Sequence, residues 1–498
     1  MSSTELPDLP FLDAAVGELF APRIADGVAP GSVVAVFDRS GELVRSWGFG
    51  LDRLDEGGAA PDADTAFRVA SCTKSFTAAA TLLLRDRGAL VLDQPITDFV
   101  PEFRFSDGFP EAPSLRQLLS MSGGLATDDP WADRQEGLSE VEFRAVLAAG
   151  TPRDSTPGTT FRYSNLGYAL LGQAIAQASG STFIDFVTAE LLAPLGLTAT
   201  GFTVAGRSGR TAVGHRRDAH GAWHALPYSG PGAFSPIGGV VTTARDLARW
   251  AAWLARALEG TQPRGEATRR AAQAASETKG APEGVEVLRA ASRRELQQVQ
   301  RTIPTARAGV EEHGYGFGLM VEKGTAIGHT VGHSGGYPGF SAHVRWNAPG
   351  GFGVVAFENA TYAGVSVPVT ALVDLLIAEG GVTAPRPEPW PETVALARAA
   401  DRLIDAWAAD APSEALAEEI LSANVAADVP IAERAELVRG LGIVAAGEEP
   451  RLEASASPAS VSWLREAADG PVRVRISLAP VAPARIQTLA IARENPGE

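Results

Sequence analysis

"FRVASCTKSFTAAATLLL", residues 67–84, places a serine at 71 and a lysine at 74 at the head of an apolar, alanine- and leucine-rich run. Lysine is scarce in this chain: Lys74, Lys279 and Lys323 are the whole set, and arginine carries the remaining positive charge. Positions i and i+3 share a helix face, so the Ser71 hydroxyl and the Lys74 amine can meet. A serine hydroxyl becomes a nucleophile only when something nearby takes its proton. Lysine can do this once its surroundings depress its pKa, whereas arginine effectively never deprotonates. The tetrapeptide S-x-x-K alone also fits an ordinary helix start with a solvated lysine. More is needed.

Two further stretches follow in chain order. "PGTTFRYSNLGYALLG" sets Tyr163-Ser164-Asn165 at a loop-to-helix junction, and "GHSGGYPGF" sets His333-Ser334-Gly335 beside a predicted strand. Serine with lysine, then a polar triplet, then a K-T-G-like strand is the ordered signature of penicillin-recognising serine enzymes. "LRQLLSMSGGL" and "GAFSPIGGVVTTARDLARW" match two more segments of that family, L-L-T-H-T-S-G-L and G-G-L-x-S-T-x-x-D-L. Over about residues 11–385 the chain therefore resembles the serine β-lactamase and penicillin-binding protein superfamily. Y-S-N in place of S-D-N points to its class C-like branch of esterases, D-aminopeptidases and D,D-peptidases.

The resemblance implies an α+β, β-lactamase/transpeptidase-like fold: an antiparallel sheet with flanking helices plus an all-α lobe. It implies Ser71 as the acyl-accepting nucleophile at a helix N-terminus, where backbone N–H groups favour negative charge. Lys74 and Tyr163 would share acid and base work, Tyr163 as a phenolate-like base, and which of them drives acylation is left open. Asn165 would donate to substrate and help fix Lys74. The N–H groups of Ser71 and Gly336 would form the oxyanion hole, with Ser334 and Gly335 on the same strand. The sequence departs from the family at two places. Met121 replaces the histidine of a segment read as structural, and His333 replaces the K-T-G lysine. A largely neutral histidine attracts a substrate carboxylate weakly. The expected activity is hydrolysis of small esters or amides, including D-amino-acid amides or short peptides, ahead of β-lactams or acyl-D-Ala-D-Ala. Alternatives are acyl transfer to an amine or alcohol, weak β-lactamase or D,D-peptidase activity, or a non-hydrolytic binding protein.

Working outward, residues 11–25 read as an amphipathic helix and "GSVVAVFDRSGELVRSWGFG" as two strands joined at a turn. The first domain is expected over 1–385, its α/β lobe about 1–80 and 313–385. Its helical lobe spans about 81–312, including an Ala/Arg/Glu-rich segment, 259–310, expected as an exposed or mobile insertion. "TAPRPEPWPE" reads as a stiff linker, and 391–498 as a small α+β accessory domain. A net charge of -16 argues against nucleic acid as a partner. No apolar run reaches the ~18 residues of a membrane span, and the N-terminus lacks a secretory pattern. A cytoplasmic location is the expectation, with no membrane partner and no cofactor.

Cys72, the single cysteine, lacks the i, i+3 relation to Lys74 and reads as a small buried hydrophobe. His329 and His333 have zinc-ligand spacing but lie in strand-like sequence without the glutamate of H-E-x-x-H, so no metal is expected. Asp128, Asp129 and Trp131 read either as a surface turn or as substrate contacts. His215, His220, His224 and His313 read as solvated loop residues.

Overall fold

The computed structural model describes residues 9–258, 286–304, 307–380, 388–444, 449–455 and 457–493. The chain divides into two compact units, Met1–Ala384 and Pro385–Glu498. In the first, eight strands form one antiparallel sheet: β1 (Gly31–Asp38), β2 (Leu43–Gly50), β3 (Arg301–Thr302), β4 (Glu312–Tyr315), β5 (Met320–Gly324), β6 (Gly328–Tyr337), β7 (Phe340–Asn347) and β8 (Phe352–Glu358). Their order across the sheet is β2-β1-β8-β7-β6-β5-β4-β3. β1 pairs with β8 in the register Val33↔Phe357 and Val36↔Val354, so strands from opposite ends of the unit share one sheet.

Side chains alternate across a strand, and here both faces of the sheet are covered. Val34, Val36, Val354 and Ala356 meet Leu12, Val16 and Phe20 of α1 (Leu9–Ala25) and Leu372 and Leu376 of a helix at Ser366–Glu379. The other face, with Val33, Ala35, Phe37, Val355 and Phe357, joins the large core of the helical lobe. At its centre lies α2 (Lys74–Asp86), buried from Lys74 to Leu84. A helix apolar all round belongs in an interior, and α2 is gripped accordingly. Trp250 stacks on Phe76 with centroids 4.0 Å apart and donates its Nε1–H to Ser75 Oγ at 3.0 Å.

The expected insertion fares differently from its reading. Residues 259–285 lie outside the described residues, and the described remainder is built into the lobe. Leu288 and Leu296 are buried in the main core, Arg85 and Arg116 reach Glu295, and β3 closes the sheet edge. A low count of large apolar residues hid the two that anchor it. His215, His224 and His313 lie on strands, and His215 is buried, because β-ladder positions bury whatever faces inward.

The linker's residues 383–387 lie outside the described residues. In the second unit a long helix (Pro391–Ala408) and three short ones precede four antiparallel strands that end at Ile486–Arg493. Leu403, Trp407, Val461, Trp463, Val474 and Ile476 form that unit's own core. Asp401 is buried there against the Arg465 guanidinium (2.7 Å) and the Trp463 indole N–H (2.7 Å), which satisfies its charge. Among the described residues, no helix is long and apolar enough to cross a membrane.

Candidate active site

Ser71 is presented by a strained turn. Phe67–Arg68 pairs with Val241–Thr242, and the chain then bends at Ala70 (φ 48), in the left-handed region that costs a non-glycine residue roughly 1–3 kcal/mol. A 3₁₀ turn, Ala70–Thr73, runs directly into α2. Three contacts hold the bend: Val69 N–H to Val240 O at 3.0 Å, Val240 N–H to Thr73 Oγ1 at 3.1 Å, and the Cys72 thiol to His333 O at 3.2 Å. Cys72 is thus a buried tie between the turn and β6, and burial pushes its thiol up to about 12. A thiol so held is no nucleophile at neutral pH.

Lys74 is fully buried, whereas Ser71 keeps 7% of its surface. Lys74 Nζ lies 2.8 Å from Ser71 Oγ and 3.0 Å from Ile237 O. Burial pulls its pKa down to about 8, against the upward pull of Asp133, Asp129 and Asp128. At pH 7 about one molecule in ten would therefore carry a neutral amine, within hydrogen-bond distance of the hydroxyl.

Tyr163 lies over the same pair. Its ring centroid is 5.0 Å from Lys74 Nζ. Burial first, then Asp129, hold the phenol well above its usual range. The expected phenolate is disfavoured in this arrangement, because burial, with Asp129 and Asp133 adding to it, favours the neutral phenol. Ser164 caps the helix Asn165–Ser179, and Asp128 accepts from the Asn165 and Leu166 N–H groups at 2.7 and 2.8 Å. Asn165 was expected to fix Lys74. Its Nδ2 instead donates to Asp129 Oδ1 at 2.6 Å, and its Oδ1 is buried without a hydrogen-bond partner. Met121 keeps a structural place, its sulfur accepting from Ser164 N–H at 3.4 Å.

His333, Ser334, Gly335 and Gly336 all lie on β6. β5 pairs with it only as far as Gly332, so from His333 to Tyr337 that side of the strand is open. The two-residue turn after Tyr337 makes Tyr337 and Phe340 the closing pair. Alternation in an antiparallel ladder then leaves Gly336 with its N–H toward the open side. Gly335 has to be glycine: a Cβ there would sit 2.3 Å from Val69 O and 3.0 Å from the Ala70 Cβ. The Ser71 turn and β6 touch backbone to backbone. His333 Nδ1 lies 2.5 Å from Ser334 O, an atom that can only accept, so Nδ1 carries the proton. Nε2 then accepts from the Tyr315 hydroxyl at 3.0 Å. Burial, with Lys74 adding to it, drives His333 down to about 3, so the ring is neutral. Ser334 is exposed, its Oγ 2.9 Å from His343 Nδ1. His329 bonds Gln297 O, and no cluster able to hold a metal occurs among the described residues.

Several participants were not found from sequence. Asp133 is buried, takes the Tyr362 hydroxyl at 2.8 Å and is pushed up to about 7, chiefly by burial. Arg68 and Glu136 form a buried ion pair at 3.0 Å, which Tyr337 and Ser235 join through Glu136. All six tyrosines stand in this constellation or against its supports: 163, 168 and 315 around Lys74 and His333, 337 and 362 at the two acids, 228 over Arg68. Tyrosine is nearly as selectively placed as lysine, and that scarcity was a readable signal. Trp131 lies edge-on to Phe234 with centroids 5.6 Å apart and remains 43% exposed.

The Ser71 hydroxyl, the buried Lys74 amine, the Tyr163 phenol and the glycine strand β6 thus come together in one place. The chain belongs to the β-lactamase family, which it matches over residues 16–379. It is 32% identical over 240 residues to beta-lactamase-like protein 4 of Dictyostelium discoideum, covering 45% of this chain and 42% of that one. It is 29% identical over 192 residues to protein flp of Staphylococcus aureus strain N315, covering 38% of each. The chain thus spans less than half the length of these curated relatives. Among solved structures, an octameric penicillin-binding protein homologue from Pyrococcus abyssi aligns over 97% of this chain and 94% of its own, with TM-score 0.61 and 18% identity. A D-stereospecific amidohydrolase from a Streptomyces species aligns over 73% of this chain and 98% of its own, with TM-score 0.55 and 24% identity. At these identities the structures establish the shared fold.

Proposed function

We propose that the chain is a serine hydrolase that cleaves small esters or amides through an acyl-enzyme on Ser71. The observation that carries this is the buried Lys74 amine, 2.8 Å from Ser71 Oγ with its pKa drawn down to about 8. Neutral Lys74 takes the Ser71 proton as Oγ bonds to the substrate carbonyl carbon. The oxyanion is received by the Ser71 and Gly336 N–H groups, the interaction that often dominates acyl transfer. As the carbon–leaving-group bond breaks, Tyr163, whose ring lies 5.0 Å from Lys74 Nζ, hands a proton to the leaving oxygen or nitrogen and is reprotonated from Lys74. Water then attacks the ester on Ser71 by the reverse proton path. The raised phenol and the lowered amine together support Lys74 as the base.

The substrate class follows from His333. A neutral ring in place of the K-T-G lysine offers a substrate carboxylate no charge, and three aspartates close by repel one. The amidohydrolase activity of the Streptomyces relative fits an amide substrate. The test is a panel of a p-nitrophenyl ester, a D-alanine p-nitroanilide, nitrocefin and an acyl-D-Ala-D-Ala peptide. The ester and anilide should show the higher kcat/KM. A higher value on either carboxylate-bearing substrate would sink the assignment.

A further inference from the structure

We propose that Glu136 is a positioning residue that ties the nucleophile, the base and the oxyanion strand to one another. The inference rests on the Ser71 reading above and adds a residue to that site. Glu136 is buried, and three separate segments meet its carboxylate. Arg68 Nη1 lies 3.0 Å from Oε2, the Tyr337 hydroxyl donates to Oε2 at 3.2 Å, and the Ser235 hydroxyl donates to Oε1 at 2.9 Å. Each segment carries one working part of the site. Arg68 stands three residues before Ser71, on the short strand that feeds the strained turn. Tyr337 directly follows Gly336, the oxyanion glycine of β6. Ser235 stands two residues before Ile237, whose carbonyl accepts from Lys74 Nζ at 3.0 Å.

The contacts close into a ring. Arg68 Nη2 donates to Ser229 O at 2.9 Å, Ser229 Oγ lies 3.2 Å from the Tyr337 hydroxyl, and the Arg68 guanidinium sits 4.7 Å from the Tyr337 ring centroid. The backbone comes up to the carboxylate as well: a Cβ added to Gly239 would sit 2.6 Å from Glu136 Oε1. A buried ion pair adds little net stability over apolar side chains of the same volume, because both charges give up their water. What it does add is direction, since charge-assisted bonds fix lengths and angles that apolar packing leaves free. A shift of about 1 Å at a reacting group costs roughly 100-fold in rate. One carboxylate that locks Ser71, the Lys74 acceptor and Gly336 to a common point guards against that shift in all three.

The test measures kcat and KM on a p-nitrophenyl ester and the rate of fluorophosphonate labelling of Ser71, with a melting curve for each variant. Tyr337→Phe keeps the ion pair and removes one bond to Oε2. It should stay folded and lose about tenfold in kcat and in labelling rate, the scale of one hydrogen bond, with KM within about twofold. Glu136→Gln should lose about 100-fold in both. The double variant Glu136→Gln/Tyr337→Phe should be no slower than Glu136→Gln, because Tyr337 acts through the carboxylate. A role in stability alone would lower the melting temperature and leave kcat per labelled serine unchanged, and that result overturns the inference. So do losses that multiply in the double variant. Should Glu136→Gln fail to fold, Tyr337→Phe decides alone, and an unchanged kcat in it overturns the inference. Wild-type Ser71 that labels while the variants match it leaves the serine hydrolase standing; an unlabelled wild-type Ser71 overturns both.

Discussion

Lys74 can act as a base only in molecules whose amine is neutral, and this ties rate to pH. With its pKa near 8, ester kcat/KM should climb about tenfold per pH unit well below 8 and flatten above it. A pH-rate profile that falls through that range would contradict the assignment. Lys74→Arg keeps the charge but removes the base, and should cost about a thousandfold or more in kcat, measured by steady-state kinetics. The same burial has a stability signature. The folded pKa lies below the unfolded value of 10.5, so between about 8 and 10.5 the unfolded chain binds more protons. Stability relative to Lys74→Met should therefore rise with pH across that window and be flat below it, as urea titrations at several pH values would report. The Ser71–Lys74 relation was legible because i, i+3 contacts are local. Asp133, Tyr315 and Tyr362 were not, because each arrives from a separate segment and only the closed fold brings them together.

β6 sets the geometry of the site at the next scale. It is a partner of β7 along its length but of β5 only to Gly332, which leaves an open edge opposite the Ser71 turn. That edge works only while the strand lies against the turn. Gly335→Ala would force Val69 O and a Cβ from 2.3 Å to ordinary contact, moving β6 and the turn apart. The variant should stay folded with a lower Tm and lose about 100-fold in kcat/KM, the scale of a 1 Å misplacement. Full activity in Gly335→Ala would show that the contact does not matter. Cys72→Ser keeps a donor for His333 O, so activity should stay within about threefold, and native protein should resist maleimide. The H-S-G-G pattern gave β6 away in the sequence through its glycines. The helix Ala290–Leu296, which buries Ser292 and Leu296, stayed hidden, since one apolar side chain on each side of a polar segment carries no period to read.

At the scale of the molecule, the strand-rich ends and helical middle of the first unit foretold a sheet shared by residues around 31–50 and 315–358, and the sheet has both. The accessory unit was legible as helices followed by strands, but no motif in it named a role. Its core is its own, with Trp407 and Trp463 buried between helix and sheet. We expect a chain ending at residue 384 to purify as folded protein and to turn over minimal esters within about tenfold of the full chain, since no residue of the Ser71 constellation lies beyond Tyr362. Soluble truncated protein without chemistry would give the second unit a part in catalysis. The central claim, that Ser71 is acylated with Lys74 as its base, is tested most directly by mass-spectrometric mapping of the adduct left by a fluorophosphonate on the intact protein. The adduct should fall on the peptide containing Ser71, grow faster as pH rises toward 8, and vanish in Ser71→Ala. An adduct on Cys72 or elsewhere, or undiminished ester turnover in Ser71→Ala, would contradict it.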